Sequence, residues 1–306
     1  QVFRPRLRFD GRWLPRTGVN TPHTRLEDRS GAATLTFPIA RTFNANVQLD
    51  LTSDSWKELL LSGVRVRASQ VMGSLKYGYR EISITDNTVG LQPDPRSLHT
   101  ASAGLLGISL TKKFRILFWN VNVNISEENE TLNDPAIRFS GLIGKMKVKG
   151  LHRQFYYGLV LVHSDGLTLP LPFIGGQTRL AKKLYFNYTL PVQIAILYRP
   201  NAGTLFQAGV GVDAWRSGVS SAPYVQDQRT NLNYQAVRGF INGRTKLNRT
   251  FVLRGEVGYA FHDLRWTVPQ GEVVRTTIEP GITATIGLNI LFGQSVVEQI
   301  LNDVLH

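Results

Sequence analysis

Six basic side chains, Arg65, Arg67, Lys76, Arg80, Lys183 and Arg254, stand opposite apolar neighbours in stretches where residue character alternates. On strands they would share one face, with Glu256 and Asp50 as the acidic counterparts. An enclosed, wet face of that kind favours anions. The same cations could instead be neutralised by carboxylates and carbonyls inside a filled interior, and the sequence leaves both readings open. Groupings that could do covalent chemistry are weaker. A Ser/His hydrolase needs a nucleophile, an oriented base and oxyanion donors that converge, and no G-x-S-x-G elbow is present. His163, Ser164 and Asp165 have the right types, but three consecutive residues at a strand end cannot all aim at one substrate. The 6 histidines (His23, His99, His152, His163, His262 and His306) are scattered, with no H-E-x-x-H or other zinc spacing. Asp86, Asp94, Glu127, Glu128, Glu130 and Asp134 fall in expected outer loops, where solvated charge is the ordinary role. Walker, Rossmann and EF-hand patterns are absent, so no catalytic residue, metal or cofactor is expected.

These side chains need strands to position them, and the sequence reads as strands nearly throughout. In Gly281–Phe292, Ile282, Ala284, Ile286, Leu288, Ile290 and Phe292 oppose Thr283, Thr285, Gly287 and Asn289. A period of two over such a length means one dry face and one wet face. Ala33–Leu51 and Leu60–Ala68 repeat the pattern, as does Ser74–Thr85, where a change of phase near Ile82 and Ile84 is what a β-bulge would produce. Ala101–Leu110, Phe114–Ile125, Ile137–Lys149 and Phe155–Ser164 follow, and Asn120, Asn122 and Asn124 on one face require that face to be wet. Lys182–Arg199 keeps one phase straight through Pro191 and reads as a single strand. Gly203–Trp215, Asn231–Lys246, Phe251–His262 and Val274–Phe292 complete a set of about 12.

The intervening segments alternate in length. Thr111–Lys113, Gly150–Gln154, Pro200–Ala202 and Leu247–Arg249 are short; Asp86–Thr100, Ser126–Ala136, Asp165–Ala181, Gly218–Thr230 and Asp263–Val273 are long. Short periplasmic turns and long outer loops are the habit of outer-membrane barrels, and an even strand count puts both termini in the periplasm. The expected fold is therefore an all-β transmembrane antiparallel β-barrel over 31–293. The closing strand Gly281–Phe292 should pair with Ala33–Leu51, and Phe292 should mark a membrane boundary. Residues 1–30, rich in arginine, are expected as a basic periplasmic arm or lumen plug. Residues 294–306 are expected as an amphipathic helix, with Val297, Ile300, Leu301, Val304 and Leu305 on a partner-docking face.

Composition fits this picture. Over 306 residues the formal charge is +13, spread along the chain, and no nucleic-acid-binding signature accompanies it. There is no cysteine, so disulfides and thiolate metal sites are excluded. A first residue of Gln1 rather than Met suggests a removed export signal. No apolar run is long enough for a transmembrane helix, which does not bear on strands that hide their apolar face in alternation.

Ala33–Pro38 (ATLTFP), Asp94–His99 (DPRSLH) and Leu169–Gln177 (LPLPFIGGQ) followed by Leu180–Pro191 resemble a family of uncharacterised outer-membrane β-barrels common in Bacteroidota. The resemblance runs from about Ala33 to Phe292 and implies fold and localisation; it brings no catalytic residues. The chain departs from it by continuing for 14 residues past Phe292. The leading expectation is a non-enzymatic barrel, either an accessory subunit of a larger envelope complex or a small anion-favouring pore. A barrel enzyme acting on lipid and a soluble all-β binding protein are the alternatives. Expected partners are outer-membrane lipid or lipopolysaccharide and, through the tail, other outer-membrane or periplasmic proteins; nucleic acid is not among them. Unboiled protein should run faster on a denaturing gel than boiled protein, and a chain soluble without detergent would overturn the reading.

Overall fold

The computed structural model describes residues 4–18, 24–47, 64–86, 91–110, 115–128, 136–148, 153–164, 167–219, 230–267 and 273–292. Fourteen strands form one closed antiparallel barrel: β1 (Arg6–Gly18), β2 (Thr24–Val47), β3 (Val64–Asp86), β4 (Leu91–Leu110), β5 (Arg115–Glu128), β6 (Ala136–Val148), β7 (Arg153–Ser164), β8 (Leu167–Ala181), β9 (Leu184–Leu190), β10 (Gln193–Tyr198), β11 (Thr204–Val219), β12 (Thr230–Lys246), β13 (Phe251–Thr267) and β14 (Val273–Leu291). Each strand pairs with its sequence neighbours, and β1 closes the ring on β14. The described residues contain no helix.

The seam corrects the expected anatomy of the N-terminal segment. Arg6–Gly18 is wall, not arm or plug: Arg6 faces Leu291 on β14 and Thr36 on β2. The partner of the closing strand is therefore β1, while the Ala33–Leu51 segment lies one place further round as β2. The physical reason is legible in retrospect. Arg6, Arg8, Asp10 and Arg12 alternate with Leu7, Phe9, Gly11 and Trp13, and Phe9 and Trp13 are exposed on the outer face. Arginine richness masked an ordinary strand period.

Three further differences, together with β1, take the count from about 12 to 14. Val64–Ala68, the described part of Leu60–Ala68, and Ser74–Thr85 belong to one strand, β3, which removes one, and the other two differences add one each. Leu167–Ala181, expected inside an outer loop, is β8, with Pro170 and Pro172 exposed along it. Lys182–Arg199 is a hairpin, β9 and β10, which reverses at Leu190–Val192 with the Val192 amide donating to the Thr189 carbonyl (2.7 Å) and a cis Leu190–Pro191 bond. Gln193 faces Thr189 and Tyr198 faces Leu184, so every pair joins residues of equal parity. Facing residues lie on the same side of a sheet, so a hairpin with that register keeps its alternation in phase across the turn. Unbroken phase cannot distinguish such a hairpin from a straight strand.

Of the segments expected to be short, Pro200–Ala202 and Leu247–Arg249 are described, and both lie at the end of the barrel that carries the start of β1 and the finish of β14. The two are built alike. Asn201 accepts from the amides of Gly203 (2.9 Å) and Thr204 (2.8 Å), and Asn248 accepts from those of Thr250 (2.8 Å) and Phe251 (2.7 Å). A short amide side chain that caps the backbone two and three residues on is what makes asparagine a turn residue. Positions 293–306, including the expected docking face Val297, Ile300, Leu301, Val304 and Leu305, lie outside the described residues, as do 48–63.

Side chains sort by face. Leu35, Leu75, Tyr77, Val121, Ile143, Ile196, Val257, Ile282 and Ile286 are exposed on the outside. Asn120, Asn122 and Asn124 point inward, as their spacing required, because they alternate with outward Val121 and Val123 and face Leu106, Gly104 and Ser102 on β4. Between β5 and β8 the inner face is lined by rings. Phe118, Phe173 and Tyr156 lie over Gly144, Gly158 and Gly175 of adjacent strands, with ring centroids 6.2 Å (Phe118–Phe173) and 6.4 Å (Tyr156–Phe173) apart. A Cβ on Gly158 would meet the Ile143 carbonyl oxygen and lie 2.7 Å from the Gly144 Cα. Those are backbone atoms with nowhere to go. Gly158→Ala should therefore cost roughly 1–3 kcal/mol in urea unfolding of the reconstituted barrel. Gly141→Ala, whose new methyl meets nothing within 4 Å, should leave the midpoint unchanged.

Candidate functional site

The interior is built by four strands on one side and a bent hairpin from the other. Charged side chains on β1, β2, β3 and β13 point inward because they share parity with the wet positions around them. Most are paired. Arg254 donates to Asp10 (3.0 Å), Arg80 lies 3.4 Å from Asp28, Arg96 lies 3.5 Å from Glu128, and Arg238 pairs with Glu256. Arg12 pairs with Asp213 and also reaches the Tyr234 hydroxyl (3.3 Å). That last contact spans the barrel, since Asp213 and Tyr234 belong to β11 and β12.

The far half of β11 does not stay in the wall. β10 ends its pairing at Gln193–Gly211, so among the described residues Asp213–Val219 has β12 as its strand partner and no strand on its other edge. This stretch crosses to the opposite wall. The Arg80 guanidinium lies 4.2 Å from the Trp215 ring, and Trp215 stacks on Tyr234 at 5.3 Å and 18°. The Arg216 carbonyl accepts from the Ser126 hydroxyl of β5 (3.3 Å) and from Arg138 of β6. Val219, Leu232 and Tyr234 are buried against Leu14, Ile82, Leu98 and Leu264 of β1, β3, β4 and β13. Each such aliphatic burial is worth about 1.5–3 kcal/mol, enough to hold the bent hairpin across the lumen. Tyr234 further donates to or accepts from His262 Nδ1 at 2.6 Å.

This dry cluster explains the phase change seen near Ile82. The register of β2 with β3 runs unshifted from Thr36–Ser74 to Thr24–Asp86, while that of β3 with β4 shifts between Ile84 and Asp86, past the change of phase at Ile82. Ile82 faces inward in the same parity as Lys76 and Arg80. The inner face itself becomes apolar there because the hairpin packs on it.

Two cavities flank the crossing. A polar chamber of about 310 Å³ lies under it, lined by Asp10, Lys76, Arg80, Asn124, Arg138 and Trp215 among others. A second, of about 350 Å³, lies on the other side between β6–β8 and the hairpin, with Val162, Leu169, Leu171, Ala214 and Trp215 in its walls. Arg138, Ala214, Trp215 and Arg216 line both.

The six basic positions read from sequence separate into distinct fates. Arg80 and Arg254 are inward members of the ion-pair network, and Lys76 points into the polar chamber. Arg65 and Arg67 lie on β3 opposite Asn46 and Asn44; their side chains are outside the described ones. Lys183 is not in the wall at all. It sits exposed in the turn between β8 and β9, because the segment holding it is a hairpin with a turn at each end. The expected counter-charge Glu256 is inward beside Arg238, while Asp50 is outside the described residues. Glu127 and Glu128 belong to β5 rather than to an outer loop, and Asp86 and Asp94 to β3 and β4. His163 is on the outer face at the barrel rim, 2.8 Å from the Thr168 hydroxyl. Among the described residues no group of three metal-ligating side chains comes together. Reasoning from sequence missed Arg12, Asp28, Arg138, Asp213, Trp215 and Tyr234. The alternation of β1 could have revealed Arg12; the others are brought together only by the bend in β11.

No protein-family model matches this sequence, and no curated protein matches it. Its fold is similar to an outer membrane channel from Pseudomonas putida F1 (TM-score 0.46, 10% identity, 95% of this chain and 96% of that one). It is similar also to the transport unit of the autotransporter AIDA-I from Escherichia coli (TM-score 0.38, 8% identity, 95% and 90%) and to the β domain of the Bordetella autotransporter BrkA (TM-score 0.37, 9% identity, 94% and 100%).

Removing one member of the crossing pair strands the other. Asp213→Ala should lower unfolding free energy by about 2 kcal/mol, since Arg12 then lies half-enclosed without its carboxylate. Replacing both, Arg12→Met with Asp213→Leu, should recover most of that loss in urea unfolding of the reconstituted protein.

Proposed function

We propose that the chain is a non-enzymatic outer-membrane barrel that works as a gated channel, with the far half of β11 as the gate. The observation that carries this reading is the crossing of Asp213–Val219 from its own wall to β3, β5 and β6 above a polar chamber. A barrel filled for purely structural reasons has no use for a chamber lined by Lys76, Asn124 and Asp10; a permanently open pore has no use for the bar across it. The outward apolar band and the hydrogen-bonded closure of the ring support a membrane setting, because a sheet in hydrocarbon must leave few backbone groups unpaired. The end bearing the start of β1 and the finish of β14 is the periplasmic one in this reading, and membership of the Bacteroidota barrel family is part of the same proposal.

An open anion-favouring pore is a poorer fit. Arg80, Arg238 and Arg254 each have a carboxylate beside them, so much of the inner positive charge is compensated. Selectivity in an open state would be set by Lys76 and the asparagines of β5 rather than by a bare arginine stripe.

In planar bilayers the wild-type protein should be silent for most of the time. Asp213→Asn combined with Trp215→Ala removes the ion pair and the ring that hold the bar, and should produce frequent conducting events. Silence from both proteins would overturn the channel reading, and steady conductance from the wild type would overturn the gate.

A further inference from the structure

We propose that the barrel has a side entrance, a breach in its wall above the β9–β10 hairpin through which apolar, chain-like molecules pass from the bilayer into the cavity behind β11. The inference rests on the bilayer setting proposed above and not on the axial gate.

The breach follows from strand length. β8 pairs with β9 only from Ile174–Leu190 to Ala181–Leu184, so among the described residues Leu167–Phe173 has β7 on one edge and no strand on the other. β11 loses its partner on the facing side beyond Gly211, apart from the Val212 amide that donates to Val192 (2.8 Å). Among the described residues two strand places are therefore left unfilled over the far part of the wall, a notch roughly 10 Å wide before the inward lean of β11 widens it.

Bare edges invite another strand, and both rims of this notch are made unfit for one. On β8, Pro170 and Pro172 have no amide hydrogen to offer an incoming ladder. On β11 the Val212 amide points toward β10, so Arg216, of the same parity, turns its carbonyl into the notch; that carbonyl is already held by Ser126 and Arg138. A peptide strand would find no amide at Pro170 or Pro172 on one side and the Arg216 carbonyl already bonded on the other.

What it leads to is apolar on the near side. Behind it lies the cavity of about 350 Å³, walled on the notch side by Val162, Leu169, Leu171 and Ala214, with Arg138, Arg216, Asn233 and Gln235 also in its lining. Leu169 and Leu171 face inward, as they pair with Val162 and Val160, yet both remain 48% exposed. The outer apolar band reaches the notch from both sides, through Phe139 and Leu161 on one and Val212, Val237 and Phe261 on the other. A hydrocarbon chain in the bilayer meets a continuous apolar path inward. At its inner end Arg138 and Trp215 separate the cavity from the polar chamber, so a molecule entering sideways comes to rest against the gate.

The chain has no cysteine, so single-cysteine variants report single positions. Leu171→Cys, Asn122→Cys and Ile194→Cys would each carry a nitroxide in the full-length protein in phosphatidylcholine vesicles. Collision with oxygen, which concentrates in hydrocarbon, is then compared with collision with a water-soluble nickel chelate. Ile194, on the outer face, should favour oxygen, and Asn122, inside an unbroken wall, should favour nickel. Leu171 should match Ile194 although its side chain faces inward. A Leu171 label that matches Asn122 overturns the side entrance. An Ile194 label that favours nickel overturns the bilayer setting instead. As a second measurement on the first variant, Ala214→Trp fills the cavity and should cut oxygen access at Leu171 while leaving Ile194 unchanged. Unchanged access at Leu171 would show that lipid reaches it without passing into the cavity, and would also overturn the proposal.

Discussion

A backbone amide or carbonyl left without a partner in hydrocarbon is costly enough to dictate the whole architecture. A sheet meets that demand chiefly by closing, which is why the Arg6–Trp13 stretch must be wall rather than arm: without it, β14 would end the sheet with an open edge from Ala284 to Leu291. The arginines of β1 follow from the closure and are not exceptions to it. Strand parity sends them inward, where Asp10, Asp213 and the hydroxyl of Tyr234 wait. The seam and the ion-pair network are thus one consequence of one constraint.

The interior answers a second demand, which is to fill or wet every inward position. It does so in three ways that change along and around the barrel. Asparagines and a lysine keep one sector wet around the polar chamber. Rings laid over glycines of neighbouring strands fill the inner face of β5–β8, where each glycine's missing Cβ is the space the ring occupies. Above the chamber a dry cluster forms around Leu14, Ile82, Leu98 and Leu232. Only the first of these matches the simple rule that a barrel is apolar outside and polar inside.

That mixture explains what could be read in the sequence. Period-two alternation located most strands, since outward residues such as Val121, Ile196 and Ile286 keep it regardless of what lies inside. The turns at Asn201 and Asn248 were legible because their cause is local. Alternation failed where parity carries no information, as in the β9–β10 hairpin, whose register preserves phase across its turn. It failed also where composition distracted from period, as in β1 and in the proline-bearing β8. The site was the least legible part. Arg12, Asp213 and Tyr234 are brought together by a bend in β11, and a bend leaves no periodic trace.

The bend itself has a cause in the lengths of two neighbouring strands. β9 and β10 have 7 and 6 residues, whereas β8 and β11 have 15 and 16. Past the end of β10, β11 has no strand bond on that side among the described residues, and the carbonyls facing it must find other donors. Ser126 and Arg138 supply one by drawing the strand inward, and Trp215 gains a cation on its face and a ring against its flank. The same short hairpin that opens the wall therefore releases the strand that crosses the lumen. A longer β9–β10 hairpin would seal the breach, and by pairing Asp213–Val219 along its full length it would pull the bar back into the wall. In this barrel an axial closure and a lateral opening are two sides of one shortened hairpin.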